Sequence, residues 1–98
     1  MALEFEWDAP KARQNLKSHG VGFDEALTVF ADPLAKIFDD PDHSTDERRE
    51  LIIGHSAKQR LLVVSFSERG KTRIISARKA TKCEREDYEE NSHKNASR

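Results

Sequence analysis

The chain reads as an α+β domain: a short N-terminal strand and two helices packed on an antiparallel sheet, followed by a C-terminal helix. Three observations predict this. Phe23, Ala26, Leu27 and Phe30 recur at i, i+3, i+4 and i+7, the spacing of one helix face. Beyond Pro33 the period falls to two, and Leu61-Leu62-Val63-Val64-Ser65-Phe66 is almost continuously apolar, as a central strand is. Thr81-Lys82-Cys83-Glu84 then has the Thr-x-x-Glu spacing with which a helix caps its own start.

In chain order, Glu4-Phe5-Glu6-Trp7 alternates charged and aromatic residues and predicts a short edge strand. Asp8 is placed to cap a helix that tolerates Pro10 in its first turn and ends at Gly20, with Ala12, Leu16 and His19 expected on the buried face. A second helix is expected over 23–30, stopped by Asp32-Pro33 because the residue before a proline avoids helical geometry. Strands are expected at 34–38 and 49–55, across an acidic loop that holds Asp42, His43 and Asp46. The apolar strand at 61–66 turns through Glu68-Arg69-Gly70 into a last strand from Lys71 to Ser76, and these four form an antiparallel meander. The closing helix is expected to run through Tyr88. Residues 1–90 form a single domain, and 91–98 read as a polar, frayed tail.

With 98 residues, 36% of them hydrophobic and 36% charged, the chain supports one thin core. No apolar run approaches the roughly 20 residues of a membrane helix, and the N-terminus lacks a secretory pattern, so a cytoplasmic protein with no membrane contact is expected. The lone Cys83 cannot form an internal disulfide, and no Cys/His spacing suggests a metal site or a cofactor.

Charge is segregated. Between Lys58 and Arg85, nine Lys or Arg residues stand against Glu68 and Glu84, while the first 57 residues carry twelve acidic and six basic side chains. A sheet that gathers cations in this way focuses a potential suited to a polyanion, despite a pI near 6.4. Simple alternation places Arg73, Ile75 and Ala77 on one face and Thr72, Ile74 and Ser76 on the other. Arg78, Lys82 and Arg85 are expected to make a cationic rim, joined by Arg69, Lys71 and Lys79 of the same basic run. His43, His55 and Glu50 compete for proton transfer, and Glu50 is also expected to pair across to Arg73. Each has a structural reading too: His43 as a loop anchor, His55 as a strand-end residue, Tyr88 as core.

Phe5-Glu6-Trp7-Asp8, Lys11, Asn15 and His19-Gly20-Val21 come in the order found in a known family. Phe23, Glu25-Ala26, Val29-Phe30 and Asp32-Pro33 follow, then Asp42-His43-Ser44, Glu47-Arg48, Ile53-Gly54 and Ser56. With Arg73-Ile74-Ile75-Ser76-Ala77-Arg78-Lys79-Ala80, Glu84 and Tyr88, the whole resembles the BrnT toxins over residues 4–89. The resemblance implies a RelE-like fold and a type II toxin that acts as a ribonuclease on mRNA, on or off the ribosome, and arrests translation and growth. It also implies a hetero-oligomer with a BrnA-type ribbon-helix-helix antitoxin, through which alone operator DNA is met. By likeness, the toxic surface uses Arg73, Ser76 and Arg78, together with Arg48, Arg49, Lys82 and Tyr88.

RNA is cleaved without a metal when a ribose 2′-OH attacks its own phosphate, which needs a proton acceptor, a proton donor and stabilisation of negative charge. Fixed arginines meet the last need, at about 3 kcal/mol per donor in comparable oxyanion sites. The same basic sheet also admits a second reading, a non-catalytic nucleic-acid- or antitoxin-binding module that acts as a co-repressor.

Overall fold

The computed structural model describes residues 4–39 and 49–96, without the side chains of Arg69 and of residues 91–96. The expected His43 and Arg48 sites lie outside the described residues. Strands β1 (Phe5–Glu6), β2 (Lys36–Asp39), β3 (Glu50–His55), β4 (Leu61–Arg69) and β5 (Lys71–Lys79) form one sheet in the order β1-β5-β4-β3-β2. The apolar β4 is central, as its composition requires, and β2 to β5 form the expected antiparallel meander. The departure is β1, which joins β5 in parallel through Phe5 opposite Thr72 and Glu6 opposite Arg73.

Helix α1 (Ala9–His19) begins and ends where its sequence dictates. The Asp8 carboxylate accepts from Lys11 N–H at 3.1 Å, and Gly20 closes the helix in the left-handed region at φ 70°. Its buried residue is Asn15, whereas Leu16, expected inside, is 55% exposed. The reason is the edge of β5. Because β1 covers only Thr72 and Arg73, Ala77 has no strand on that side; the Asn15 amide takes the place of one. Asn15 Nδ2 donates to Ala77 O at 2.8 Å and to Val21 O at 2.9 Å, and Ala77 N–H donates back to Asn15 Oδ1 at 3.2 Å.

The second helix keeps α geometry only over α2 (Phe23–Ala26) and tightens into a 3₁₀ turn over Leu27–Ala31. Buried Glu25 pins this element to the β3–β4 turn. Its carboxylate accepts from Ser56 Oγ at 2.7 Å, from Arg60 Nε at 2.9 Å and from Arg60 Nη2. The Arg60 guanidinium holds the Glu25 carboxyl below the usual range, against the opposing effect of burial.

Both faces of the sheet are covered. On one, Phe23, Val29, Val64, Phe66 and Ile74 pack under α1 and α2, with Trp7, Phe5 and Phe30 closing the edge through T-shaped ring contacts. On the other, Ile53, Leu61 and Val63 meet Tyr88 of α3 (Lys82–Ala96). That helix extends past Tyr88 to Ala96, and its start is the capping box read from the sequence. Glu84 N–H donates to Thr81 Oγ1 at 3.2 Å, and Thr81 N–H donates to Glu84 Oε1 at 2.8 Å.

Two outcomes follow for stability. Asn15→Ala strands the buried N–H and C=O of Ala77 and is expected to cost about 2–3 kcal/mol, read as a lower urea midpoint. Glu84 is held at about 2 by the Arg78 guanidinium, against 4.5 ordinarily, so its stabilisation is complete above pH 4.5 and fades as pH falls toward 2. Because the pair is partly solvated, Glu84→Gln is expected to cost about 1 kcal/mol at pH 7, a difference from the parent that vanishes near pH 2 in acid-unfolding curves.

Candidate nucleic-acid interface

One irregularity in β5 decides where its cations point. Ser76 lies opposite Ser65 and Ile74 opposite Phe66, so Ile75 is an extra residue, a β-bulge. The expected alternation is overturned: the bulge resets the parity, leaving Thr72, Ile74 and Ala77 buried on the α1 face. Lys71, Arg73, Ser76 and Arg78 are thereby turned to the α3 face together. Arg73 and Ser76 are exposed there.

The expected rim is only partly assembled. The Arg78 guanidinium donates to both Glu84 oxygens, at 2.7 and 2.8 Å, and to Lys79 O at 3.3 Å. Arg73 makes a longer pair with Glu6, 3.4 Å, and Lys71 lies 4.0 Å from Glu4. Exposed Lys82 opens α3, while Arg85 pairs along the same helix with Glu89 at 3.9 Å. Lys79, opposite Leu62, belongs to the α1 face, so it stands apart from Arg78.

Glu50 does not reach Arg73. It lies opposite Phe66 and Asp39, with β4 between it and β5, and it shares the face of Phe66 rather than that of Arg73. Arg49, just before β3, is kept from a pairing with Lys71 or Arg73 by the same intervening strand. Tyr88 is buried among Ile53, Leu61 and Val63, which leaves its ring no open face for a base.

A second constellation joins His55, one of the residues expected to compete for proton transfer, to Tyr88 and to Asp32, which the sequence did not connect with them. Asp32 ends the 3₁₀ turn, and its Oδ1 accepts from Leu34 N–H at 2.9 Å. Its Oδ2 accepts from His55 N–H at 2.7 Å and from the Tyr88 hydroxyl at 2.7 Å. The His55 Nδ1 lies 3.2 Å from that hydroxyl and 3.7 Å from Asp32 Oδ2, and its side chain is 42% exposed. Burial pushes the Asp32 carboxyl up, but the three donors outweigh it and hold it below its ordinary value. Gly54 makes room for this: a Cβ there would meet Ala35 Cβ at 2.9 Å and Asp32 Oδ2 at 3.0 Å. The signal available in the sequence was Gly54-His55 beside an Asp-Pro stop, two unremarkable dipeptides that only the fold joins.

Two hollows flank this cluster. A groove of about 720 Å³ runs along the 3₁₀ turn, lined by Phe5, Phe30, Thr28, Asp32, His55 and Ser56. Beyond Tyr88, a smaller one of about 240 Å³ lies between β2 and α3, lined by Lys36, Phe38, Ile53, Glu84 and Asp87. Among the described residues, no helix is long and apolar enough to cross a membrane.

No curated protein matches the sequence significantly. In structure the chain is similar to the ribonuclease toxin BrnT of Brucella abortus, with a TM-score of 0.63 and 25% identity over 83% of this chain and 100% of that one. Residues 7–84 match the family described as "Ribonuclease toxin, BrnT, of type II toxin-antitoxin system". With most of its length in that match, and the α+β architecture to go with it, the chain belongs to the BrnT family of ribonuclease toxins.

Proposed function

We propose that this chain is an endoribonuclease that cuts mRNA without a metal, arrests translation and growth by doing so, and is silenced by a BrnA-type ribbon-helix-helix antitoxin. The observation that carries the reading is the bulge at Ile75, which turns Lys71, Arg73, Ser76 and Arg78 to one face of the sheet. Arg73 and Arg78 stand four β4 positions apart, about 13 Å along the strand, a spacing suited to different phosphates of one RNA strand rather than to two oxygens of one.

The two arginines have different parts. The exposed Arg73–Glu6 pair contributes about 0–1 kcal/mol, so an RNA phosphate displaces Glu6 at little cost. Arg78 is held by two charge-assisted bonds at the foot of α3, and this fixes its guanidinium as part of the floor on which the RNA lies. The Ser76 hydroxyl stands between them as a donor to phosphate oxygen. Side chains of this kind stabilise the negative charge of a phosphorane directly, which is the chemistry a metal ion would otherwise supply. A partner that neutralises the toxin has to cover this row, which fits an antitoxin that presents carboxylates; operator DNA is then bound by the antitoxin and not by this surface.

The test uses purified chain and labelled single-stranded RNA in the presence of chelator, with growth measured with and without the neighbouring antitoxin. Cleavage products that persist in chelator and growth restored by co-expression are expected. RNA bound with steep salt dependence and never cut would instead favour the non-catalytic module. Arg73→Ala is expected to weaken RNA binding several-fold and to lower the salt slope by about 0.7, the value of one single-strand phosphate contact, with an unchanged urea midpoint. Arg78→Ala strands Glu84 and is expected to lower the midpoint, whereas Arg78→Ala/Glu84→Ala recovers part of that stability but not RNA cleavage.

A further inference from the structure

We propose that His55 is the proton acceptor of the RNA-cleaving reaction and that the Tyr88 hydroxyl and the Asp32 carboxylate hold it in the required tautomer. The inference rests on the ribonuclease reading and adds a catalytic residue to it.

Proton counting carries the argument. The Tyr88 hydroxyl has one proton, and its neighbours include Asp32 Oδ2 at 2.7 Å and His55 Nδ1 at 3.2 Å. An ionised carboxylate cannot donate, so the short contact to Asp32 requires the tyrosine proton. The hydroxyl oxygen then accepts from His55, which places the imidazole proton on Nδ1 and leaves the lone pair on Nε2. Among the described residues no hydrogen bond engages Nε2. The arrangement follows the logic by which a buried carboxylate orients a histidine base, with a tyrosine hydroxyl interposed.

Placement agrees. His55 lies opposite Leu61, and Leu61 O accepts from Ala80 N–H at 2.9 Å, so His55 and the β5–α3 corner share one end of the sheet, two strands or about 10 Å apart. Exposed Lys58 and Lys82 stand at that end, where a phosphate backbone leaving Arg78 arrives. His55 also lines the groove along the 3₁₀ turn, whose apolar wall of Phe5 and Phe30 is suited to a base. Two other carboxylates near the sheet are committed: Glu25 to Arg60 and Ser56, Glu84 to Arg78 and Thr81. The charged and titratable groups that face His55 are Asp32 from the 3₁₀ turn and Tyr88 from α3, with Lys36, Asp87 and Glu84 around the hollow behind Tyr88.

In the step itself, Nε2 takes the proton of a ribose 2′-OH as that oxygen bonds to phosphorus. The P–O5′ bond breaks with its electron pair on the 5′-oxygen, which takes a proton from water. The products are a 2′,3′-cyclic phosphate and a 5′-hydroxyl.

The experiment follows single-turnover cleavage of a fluorophore-labelled mixed-sequence RNA by the parent, His55→Ala, His55→Gln and Tyr88→Phe. Expected are losses of about 100-fold or more for both His55 variants with unchanged RNA affinity, and partial restoration of His55→Ala by imidazole. Tyr88→Phe, which keeps the ring in its pocket, is expected to lower the rate about tenfold at constant affinity and to alter the acidic limb of the rate–pH profile. Cleavage by His55→Gln within threefold of the parent overturns the assignment. So does a loss that comes with weakened RNA binding and does not respond to imidazole. A parent that cuts no RNA at all overturns the ribonuclease reading itself, which the His55 variants alone would not do.

Discussion

One additional residue in β5 governs the exposed half of this molecule. Ile75 has no partner on β4, and beyond it every side chain changes sides. Without the bulge, Arg73 and Arg78 would fall on opposite faces, and either Ala77 or Ile74 would lose its place in the core. The bulge lets one strand meet two demands, a continuous apolar floor beneath α1 and α2 and a polar row beside α3. A register error of one residue is ordinarily ruinous in a half-buried sheet; here it is built in, and the core on both sides of it closes.

The Asp32 carboxylate plays the corresponding part beside β3. It accepts from the turn after it, from the backbone of β3 and from a tyrosine of α3, so three elements distant in sequence meet at one group. A carboxylate in that position is costly to bury and is tolerated because each approach is a donor. The missing Cβ of Gly54 gives it access. Two groups thus stand two strands apart: cations on β5 and its corner, and the hydrogen-bonded Asp32, His55 and Tyr88 of the 3₁₀ turn, β3 and α3.

Local signals in the sequence were reliable. Asp8 and Gly20 bound α1, Thr81 and Glu84 open α3, and the apolar run at 61–66 lies in the central strand, because each depends on neighbours within a few residues. Longer-range features were not legible. The inward turn of Asn15 in place of Leu16 answers an open strand edge 62 residues away, and nothing in the helix announces it. The bulge leaves no mark in Thr72 to Lys79 beyond a run of apolar residues that either parity accommodates. Glu50 was expected to pair across to Arg73 from its charge at the start of a strand, but β4 runs between them. Tyr88, for which the sequence left both the cationic rim and the core open, is drawn inside by Ile53, Leu61 and Val63.

The pairing of β1 with β5 bears on when the protein becomes complete. Phe5 and Glu6 lie against Thr72 and Arg73, and Asn15 against Ala77, so the N-terminal strand and helix lack their place on the sheet until the last strand exists. During synthesis the first elements leave the ribosome long before their contacts, and the loop they must close spans most of the chain. A growing chain therefore stays unassembled until almost all of it has been made. For a member of a ribonuclease toxin family, this order of assembly keeps the fold unfinished until the last strand has been made.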